Sequence, residues 1–257
     1  MYARPESIAR HMWNARCTRQ RYANLPDSLK PTSIHEAYAA QEQYWRLAES
    51  VYGSVAGAKI ATTTKVMQQL MGITHPCGGA IFSKTIHQSP ARISKGDFLN
   101  LRIESEIALG LAADMPADKA PWTADSVAPF VAGATAAYEL VEDRNAVYAD
   151  TQATSMIVEN CWNGGVVVGP IRAVKPSDII GVKGWQSLNG MAAGEGNAED
   201  PYATLAWLAN LLAERRRYLK AGMIVITGSL IPTFSISLGD RAVFTVDGLG
   251  EVVMDVV

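Results

Sequence analysis

The residues from Asn100 to Leu109 alternate between polar and apolar side chains, which is the pattern of a β-strand. Glu104 and Glu106 are two positions apart, so a strand places both carboxylates on one face, with Cα atoms about 6.5 to 7 Å apart. This spacing suits a hard cation, which takes carboxylate oxygens as ligands. From the spacing alone, a solvated charged face explains the pattern as well. The apolar positions expected on the opposite face are Leu101, Ile103, Ile107 and Leu109.

Apolar residues at helical spacing predict helices in the first third of the chain. A first amphipathic helix is predicted within residues 1–21. A second begins after Ser33, which forms a capping box with Glu36, and ends near Gly53. A short helix is predicted over residues 65–71, because threonines precede it and a glycine follows it.

The remainder of the chain is dominated by short alternating runs bounded by Gly, Pro and Asp, which predict strands. One strong helix interrupts them, with Asp200 as its cap, Pro201 in its first turn and three arginines at 215–217 near its negative end. The predicted strands are 98–110, 135–141, 164–169, 223–226, 234–238, and a final hairpin of 242–246 with 251–256.

The composition is that of an ordinary globular protein, with 257 residues, 48% hydrophobic and 19% charged. Lys plus Arg number 23 against 25 Asp plus Glu, so net charge gives no argument for a nucleic acid or anionic membrane partner. No apolar run is long enough for a membrane span, and no secretory signal is visible. The three cysteines form no CxxC pair. We expect a cytoplasmic protein acting on a small molecule.

Four segments, in order, resemble the hydratase and decarboxylase branch of the fumarylacetoacetate hydrolase superfamily. This branch includes 2-keto-4-pentenoate hydratase and 4-oxalocrotonate decarboxylase. The matching segments are GAKIATTTKVMQQLMGI at 57–73, IESEIAL at 103–109, YELVEDR at 138–144, and DPYATLAWLANLLAE at 200–214 followed by AGMIVITGSL at 221–230.

The resemblance implies an α+β fold with mixed, strongly curved β-structure and an N-terminal helical region. We expect residues 1–75 to form that region as part of one unit, and residues 76–257 to form the β-rich metal-binding catalytic region. The resemblance and the exposed strand edges also indicate a homo-oligomer.

The same resemblance implies a divalent cation, Mg²⁺ or Mn²⁺, held by Glu104, Glu106 and Glu139. Three carboxylates suit an octahedral hard-cation site, with water or substrate oxygens in the remaining positions. Glu142 and Asp143 lie close to Glu139 and are the alternative third ligands.

Lys59 matches the family lysine, which implies a proton donor or a cation beside a substrate enolate. Its neighbours in sequence are small or apolar, a setting that buries a lysine stem and depresses its pKa. A surface lysine is the alternative. Thr227 and Ser229 flank Gly228 in a turn whose hydroxyls and amides are expected to bind a substrate carboxylate, or simply to end a strand.

One departure from the family pattern concerns the chemistry directly. Cys77 stands where hydratases of this branch commonly carry an acid. His75 or Cys77 would have to supply the proton transfer instead, or else these residues only pack.

The implied reaction is enolate chemistry on a small 2-hydroxydienoate or 2-oxo acid in the catabolism of aromatic compounds. Hydration of 2-hydroxypenta-2,4-dienoate to 4-hydroxy-2-oxopentanoate is the first expectation, and 4-oxalocrotonate-type decarboxylation is the alternative. Hydrolysis of a C–C bond in an acylpyruvate ranks third, because its acid and histidine pair is not found in the sequence. A protein that binds 2-oxo acids without turnover is a further alternative, motivated by Cys77.

Overall fold

Two mixed β-sheets form the framework of the computed structural model, which describes residues 3–257. The larger sheet has the strand order β2-β1-β10-β5-β6-β7-β3, and β11 also pairs with β5. Its strands are β1 (Val55–Ala61), β2 (Cys77–Phe82), β3 (Ile86–Gln88), β5 (Leu101–Leu111), β6 (Val131–Glu142), β7 (Asn163–Val168), β10 (Ile224–Ser229) and β11 (Phe234–Ser235).

The smaller sheet has the order β4-β13-β12-β8-β9. The pairs β1–β10, β3–β7 and β4–β13 are parallel, whereas the other pairings are antiparallel, so both sheets are mixed. The strands of the smaller sheet are β4 (Ala91–Ile93), β8 (Lys183–Leu188), β9 (Met191–Asn197), β12 (Arg241–Val246) and β13 (Gly250–Val256).

The helices predicted after Ser33, after the threonines at 62–64 and after Asp200 begin at those positions, whereas three short helices between residues 124 and 179 were not predicted. Ser33 accepts a hydrogen bond from the Glu36 amide, and Gly53 ends that helix with φ of 80°. The Glu36 carboxylate, however, accepts from Thr32 rather than from Ser33, so the capping box is not reciprocal. The helices are α1 (Arg4–Cys17), α2 (Ile34–Tyr52), α3 (Lys65–Leu70), α4 (Ala124–Val127), α5 (Ala153–Val158), α6 (Pro176–Ile179) and α7 (Pro201–Ala213).

Three parts of the expected architecture have different outcomes. The α+β class is confirmed. Strong curvature is not observed, because the strands divide into two sheets, neither strongly curled. Helices are also not confined to the N-terminal region, since α4 to α7 lie between residues 124 and 213. The division at residue 75 stays a prediction, and β1 joins both regions by pairing with β2 and β10.

The centre of the larger sheet is buried on both faces. Leu101, Ile103 and Ile107 on β5 are fully buried, and so is Glu106 on the opposite face of the same strand. In the antiparallel register of β5 with β6, Glu104 lies directly opposite Glu139. Like charges in this arrangement are destabilising unless another group neutralises them. The sheet therefore concentrates negative charge at its centre.

Candidate metal centre

Three carboxylates converge at the centre of the larger sheet. Each of Glu104, Glu106 and Glu139 offers an oxygen that lies within 4.8 Å of those of the other two. Glu106 and Glu139 are fully buried, whereas Glu104 is half-buried and faces a cavity. Alternation along β5 places Glu104 and Glu106 on one face, and the pairing register of β5 with β6 brings Glu139 next to Glu104.

A break in strand pairing positions the Glu106 carboxylate. The β10–β5 register shifts between Ile226 and Ser229, and the Gly228 amide donates to Glu106 Oε2 at 2.7 Å. Gly228 has φ of +106°, a backbone conformation that favours glycine. A side chain here would be strained, so the glycine of the Thr-Gly-Ser turn serves to orient a carboxylate.

Two further side chains orient the other carboxylates. Asn163 Nδ2, at the start of β7, donates to Glu139 Oε1 at 2.9 Å. The Thr233 hydroxyl donates to Glu104 Oε1. Each glutamate is thus held by one neutral donor, from the backbone or from a side chain.

Lys59 is the buried cation of the site. Its Nζ lies 3.0 Å from Glu139 Oε1 and donates to the Cys161 carbonyl at 3.2 Å. Cys161 is the middle one of three successive residues with positive φ, Asn160, Cys161 and Trp162. The Asn160 side chain fixes this turn by hydrogen bonds to both backbone groups of Ala80. Lys59 is therefore held between a carboxylate and a braced carbonyl.

The ionisation of these groups reflects burial and crowding of negative charge. Burial, with the charge of Glu104, raises the pKa of Glu139 to about 7 although Lys59 and Asn163 oppose the shift. Burial and the charges of Glu139 and Glu104 raise the pKa of Glu106 well above its usual value. Burial acts to lower the pKa of Lys59, but the charges of Glu139 and Glu104 outweigh it and the pKa is raised. The expected depression of the lysine pKa is wrong, because apolar neighbours in sequence do not describe its neighbours in space.

The glutamates retain oxygens suited to a cation. Glu106 Oε1 and Glu139 Oε2 are buried without a hydrogen-bond partner in the described part of the chain. Buried unpaired carboxylate oxygens are costly unless a cation or proton satisfies them. Oxygen ligands without soft donors fit Mg²⁺, Mn²⁺ or Ca²⁺. The residues present therefore fit a hard divalent cation.

A cavity of about 470 Å³ opens beside the carboxylates. Lys59, Glu104 and Ser229 line it, together with the threonines at 62–64 and Thr233. The Ser229 hydroxyl donates to the Ile231 carbonyl at 2.6 Å. Thr227 does not line the cavity, since its hydroxyl donates to the Ile107 carbonyl at 2.9 Å on β5. The roles of Thr227 and Ser229 in substrate binding stay predictions.

The alternative third ligands have structural partners instead. Glu142 accepts hydrogen bonds from the amides of Leu99, Asn100 and Arg144. Asp143 accepts from the Asn100 side chain. Neither belongs to the carboxylate cluster among residues 3–257. Glu139 is therefore the better candidate for the third ligand.

The two substitutes considered for the absent acid lie outside the cavity lining. Cys77 is fully buried, and a hydrogen bond with the Cys161 thiol lowers its pKa despite burial. His75 lines a separate cavity with Trp207 and places Nδ1 2.8 Å from the Pro76 carbonyl. Of the two thiols, only that of Cys161 belongs to a residue that lines the cavity beside Lys59.

The sequence pattern missed several residues that support the site. Asn163 is one, because its hydrogen bond to Glu139 joins residues on two different strands. Thr233 and Tyr148 are others, and both lie in loops or short turns without a periodic signal. No spacing rule connects them to the glutamates, so only the fold reveals the contact.

A mixed α+β fold with a buried lysine beside an acidic, oxygen-only carboxylate cluster is the arrangement of a metal-dependent enzyme. Residues 16–257 match the fumarylacetoacetate hydrolase C-terminal family model, and the chain belongs to that family. This confirms the resemblance seen in the sequence.

Relatives extend over nearly the full chain. The chain is 28% identical over 240 residues to 2-keto-4-pentenoate hydratase 1 of Dechloromonas aromatica (strain RCB), covering 90% of this chain and 88% of the relative. It is 26% identical to 2-hydroxyhexa-2,4-dienoate hydratase of Comamonas testosteroni, covering 95% and 94%.

The fold is close to that of a solved structure. The structure of 4-oxalocrotonate decarboxylase from Pseudomonas putida G7, complexed with magnesium and adipate, superposes with a TM-score of 0.90 at 20% identity. The superposition covers 100% of this chain and 99% of that chain.

Among residues 3–257, no helix has both the length and the apolar character needed to cross a bilayer.

Proposed function

We propose that the protein is a metal-dependent lyase acting on a small 2-hydroxydienoate or 2-oxo acid, with hydration of 2-hydroxypenta-2,4-dienoate as its first reaction. The observation that carries this proposal is the convergence of three glutamates and Lys59 beside a cavity that Lys59 and Glu104 line, with buried oxygens of Glu106 and Glu139 left unpartnered. The hydratases at 28% and 26% identity support the same reaction class.

In the proposed site, Glu104, Glu106 and Glu139 hold Mg²⁺ or Mn²⁺. The bound cation supplies Lewis-acid polarisation of the substrate carboxylate and of the adjacent 2-oxo or 2-enol oxygen. Glu104 presents the carboxylate that lines the cavity, while Glu106 and Glu139 lie beneath it. Of the three, Glu104 would therefore be the ligand next to a substrate in the cavity.

Lys59 is proposed as the catalytic residue. Its Nζ holds a proton and a positive charge at the edge of the cavity, where negative charge develops on the substrate oxygen. Ser229 is proposed as a substrate-binding residue because it lines the same cavity, and Thr227 as a second one from the same turn.

Decarboxylation of a 4-oxalocrotonate-type acid is the second candidate. Glu104 is the only carboxylate in the cavity lining, and that lining, drawn from residues 59–233, contains no histidine. The lining therefore offers no imidazole and no second carboxylate to activate water, whereas loss of carbon dioxide through the same enolate needs no such group. This observation favours the alternative enough to test both reactions together.

The test uses purified protein with freshly generated 2-hydroxypenta-2,4-dienoate and, separately, 2-oxohex-3-enedioate, each with Mg²⁺ or with chelator. Loss of absorbance and product mass distinguish gain of water from loss of carbon dioxide. Failure of both substrates with Mg²⁺ and Mn²⁺ would contradict the lyase proposal and favour a binding protein. Glu195→Gln is the matched control for a Glu104→Gln variant, because Glu195 is an exposed glutamate on the smaller sheet.

We also propose a cytoplasmic homo-oligomer that acts as one catalytic unit. The three cysteines are free, which suits a reducing compartment. The edge strand β9 is largely exposed, including Met191 at 75%, and provides a surface for self-association. Light scattering coupled to size-exclusion chromatography measures the oligomer mass directly.

A further inference from the structure

The cavity beside the glutamates contains little charge away from the metal ligands. Of the residues that line it, all within the described chain, only Lys59 and Glu104 carry a charge at neutral pH. Lys59 already pairs with Glu139 at 3.0 Å. Much of the remaining wall is apolar and consists of Met67, Met71, Val141, Met156, Trp162 and Ile231.

Three methionines form a distinct part of this wall. Met67 lies in α3, Met71 is the residue directly after that helix, and Met156 lies in α5. None of the three therefore comes from a strand that carries a proposed metal ligand. Met71 and Met156 are buried at 7% and 2% exposure, whereas Met67 is half-buried. Thioether side chains adapt to apolar shapes but donate no hydrogen bond to a carboxylate.

Arg102 lies close to the cavity without lining it. It precedes Glu104 by two residues on β5, and its guanidinium packs over the Tyr148 ring at 5.6 Å. Its Nη2 donates to the Thr233 carbonyl at 3.2 Å, and its Nη1 lies 3.8 Å from Asp143. The Nε is buried without a hydrogen-bond partner in the described chain, so Arg102 is the competing cation for a second substrate carboxylate.

We propose that the substrate is a monocarboxylate whose end remote from the 2-oxo or 2-enol acid group is uncharged and apolar, and that Met67, Met71 and Met156 determine this preference. The inference rests on the proposed function, because it assumes that the acid group is bound at the glutamate cluster. A second carboxylate against the methionine wall would lose its hydration without gaining a cationic partner. Dicarboxylates are therefore poor ligands, which favours hydration over decarboxylation of a 4-oxalocrotonate-type acid.

Binding of two unreactive 2-oxo acids of equal chain length tests the preference in the wild-type protein. Isothermal titration calorimetry with Mg²⁺ compares 2-oxohexanoate with 2-oxoadipate, which differ only in the remote group. We expect 2-oxohexanoate to bind at least about tenfold more tightly. Equal affinities, or tighter binding of 2-oxoadipate, would overturn the inference without any variant having to fold.

A pair of neighbouring substitutions tests the methionine wall. Met67→Arg adds a cation to the cavity lining, whereas Val66→Arg adds the same charge at the next residue of α3, which is 73% exposed and outside the lining. We expect Met67→Arg to reduce the preference for 2-oxohexanoate by at least about tenfold and Val66→Arg to leave it within about twofold. An equal change of this preference in both variants would overturn the role of the methionines that line the cavity.

Arg102→Gln tests the competing cation. If wild-type protein binds 2-oxoadipate at least as tightly as 2-oxohexanoate and Arg102→Gln abolishes that binding, Arg102 is the determinant and the inference is overturned. Unchanged selectivity in Arg102→Gln supports the proposal that the three methionines determine the preference.

The outcomes separate this inference from the proposed function. Preferential binding of 2-oxohexanoate without consumption of any dienoate would support the apolar subsite and contradict the lyase. Turnover of 2-oxohex-3-enedioate with kcat/KM equal to or above that of 2-hydroxypenta-2,4-dienoate would overturn the inference alone. Binding of neither 2-oxo acid with Mg²⁺ would overturn the inference, whereas only the failure of both dienoate and enedioate turnover would overturn the lyase.

Discussion

Lys59 Nζ lies 3.0 Å from Glu139 Oε1, although the two residues belong to strands that β10 and β5 separate. The side chains are 3% and 0% exposed, so the pair forms out of contact with water. Neither charge is tolerated alone in such a place. Lys59 therefore stabilises the buried carboxylates, in addition to its proposed catalytic role.

Removal of the lysine charge is expected to destabilise the metal-free protein. Lys59→Met leaves Glu139 buried without its cation, which costs about 3–5 kcal/mol in the free energy of unfolding. Saturating Mn²⁺ should reduce this loss, because a bound cation also neutralises the carboxylate. Urea denaturation with and without metal measures both effects.

Lys183→Met is the matched control for this prediction. Lys183 pairs with Glu195 at 3.0 Å, but both side chains are well exposed. Its loss is expected to change the free energy of unfolding by less than about 1 kcal/mol. Equal costs for the two lysines would contradict the role of the buried pair.

Each of the three glutamates is expected to contribute to metal binding. Replacing Glu104, Glu106 or Glu139 singly by Gln should weaken Mn²⁺ binding by more than about tenfold, because each substitution removes one anionic oxygen ligand. Electron paramagnetic resonance of free Mn²⁺ measures this affinity directly. Retention of wild-type affinity in any of these variants would remove that glutamate from the ligand set.

Asn163 is expected to act through Glu139 rather than on the metal. Asn163→Ala removes the 2.9 Å hydrogen bond to Glu139 Oε1 and should weaken Mn²⁺ binding by about 10- to 100-fold. Asn197→Ala is the control, because Asn197 is exposed and donates only to the Gly181 carbonyl. Equal Mn²⁺ affinities in the two variants would show that the Asn163 contact is not needed.

Metal-free protein is expected to lose stability as pH rises through the range in which Glu139 ionises. Because burial raises the pKa of Glu139 from 4.5 to about 7, the stabilising contribution of its protonated form is fully present below pH 4.5 and is lost as pH passes 7. Glu139→Gln mimics the protonated form and should lack this loss. The unfolding free energies of both proteins at pH 5.5 and 8, measured in chelator, test the sign.

A wild-type protein that gains stability relative to Glu139→Gln between these pH values would contradict the direction of the shift. Added Mn²⁺ should flatten the wild-type dependence, since the ion binds the deprotonated carboxylates.

Local sequence patterns predicted the strands that carry the glutamates, but not β1, which carries Lys59. Alternation on β5 placed Glu104 and Glu106 on one face, and threonine and glycine signals bounded α3. The opposition of Glu104 and Glu139 could not be read from alternation, because register depends on which strands pair.

The hairpin of β8 and β9 had no sequence signal, and a physical reason is visible. The β9 sequence MAAGEGN is mostly exposed and contains no β-branched or aromatic residue, so it lacks the alternation that marks a half-buried strand. Asn163 was missed because its role depends on a contact with a residue 24 positions away.

The position of β10 between β1 and β5 has a consequence for the order of assembly. Lys59 lies on β1 and Glu106 on β5, and β10 (residues 224–229) is the strand between them. The two strands are therefore joined in one sheet only after β10 has inserted. Such non-local pairing delays folding, since the entropy of long loops is lost before the contacts form. Glu104 and Glu139 already face each other in the direct pairing of β5 with β6, so on a ribosome Lys59 would be the late partner, reaching the carboxylates only after residues 224–229 had emerged.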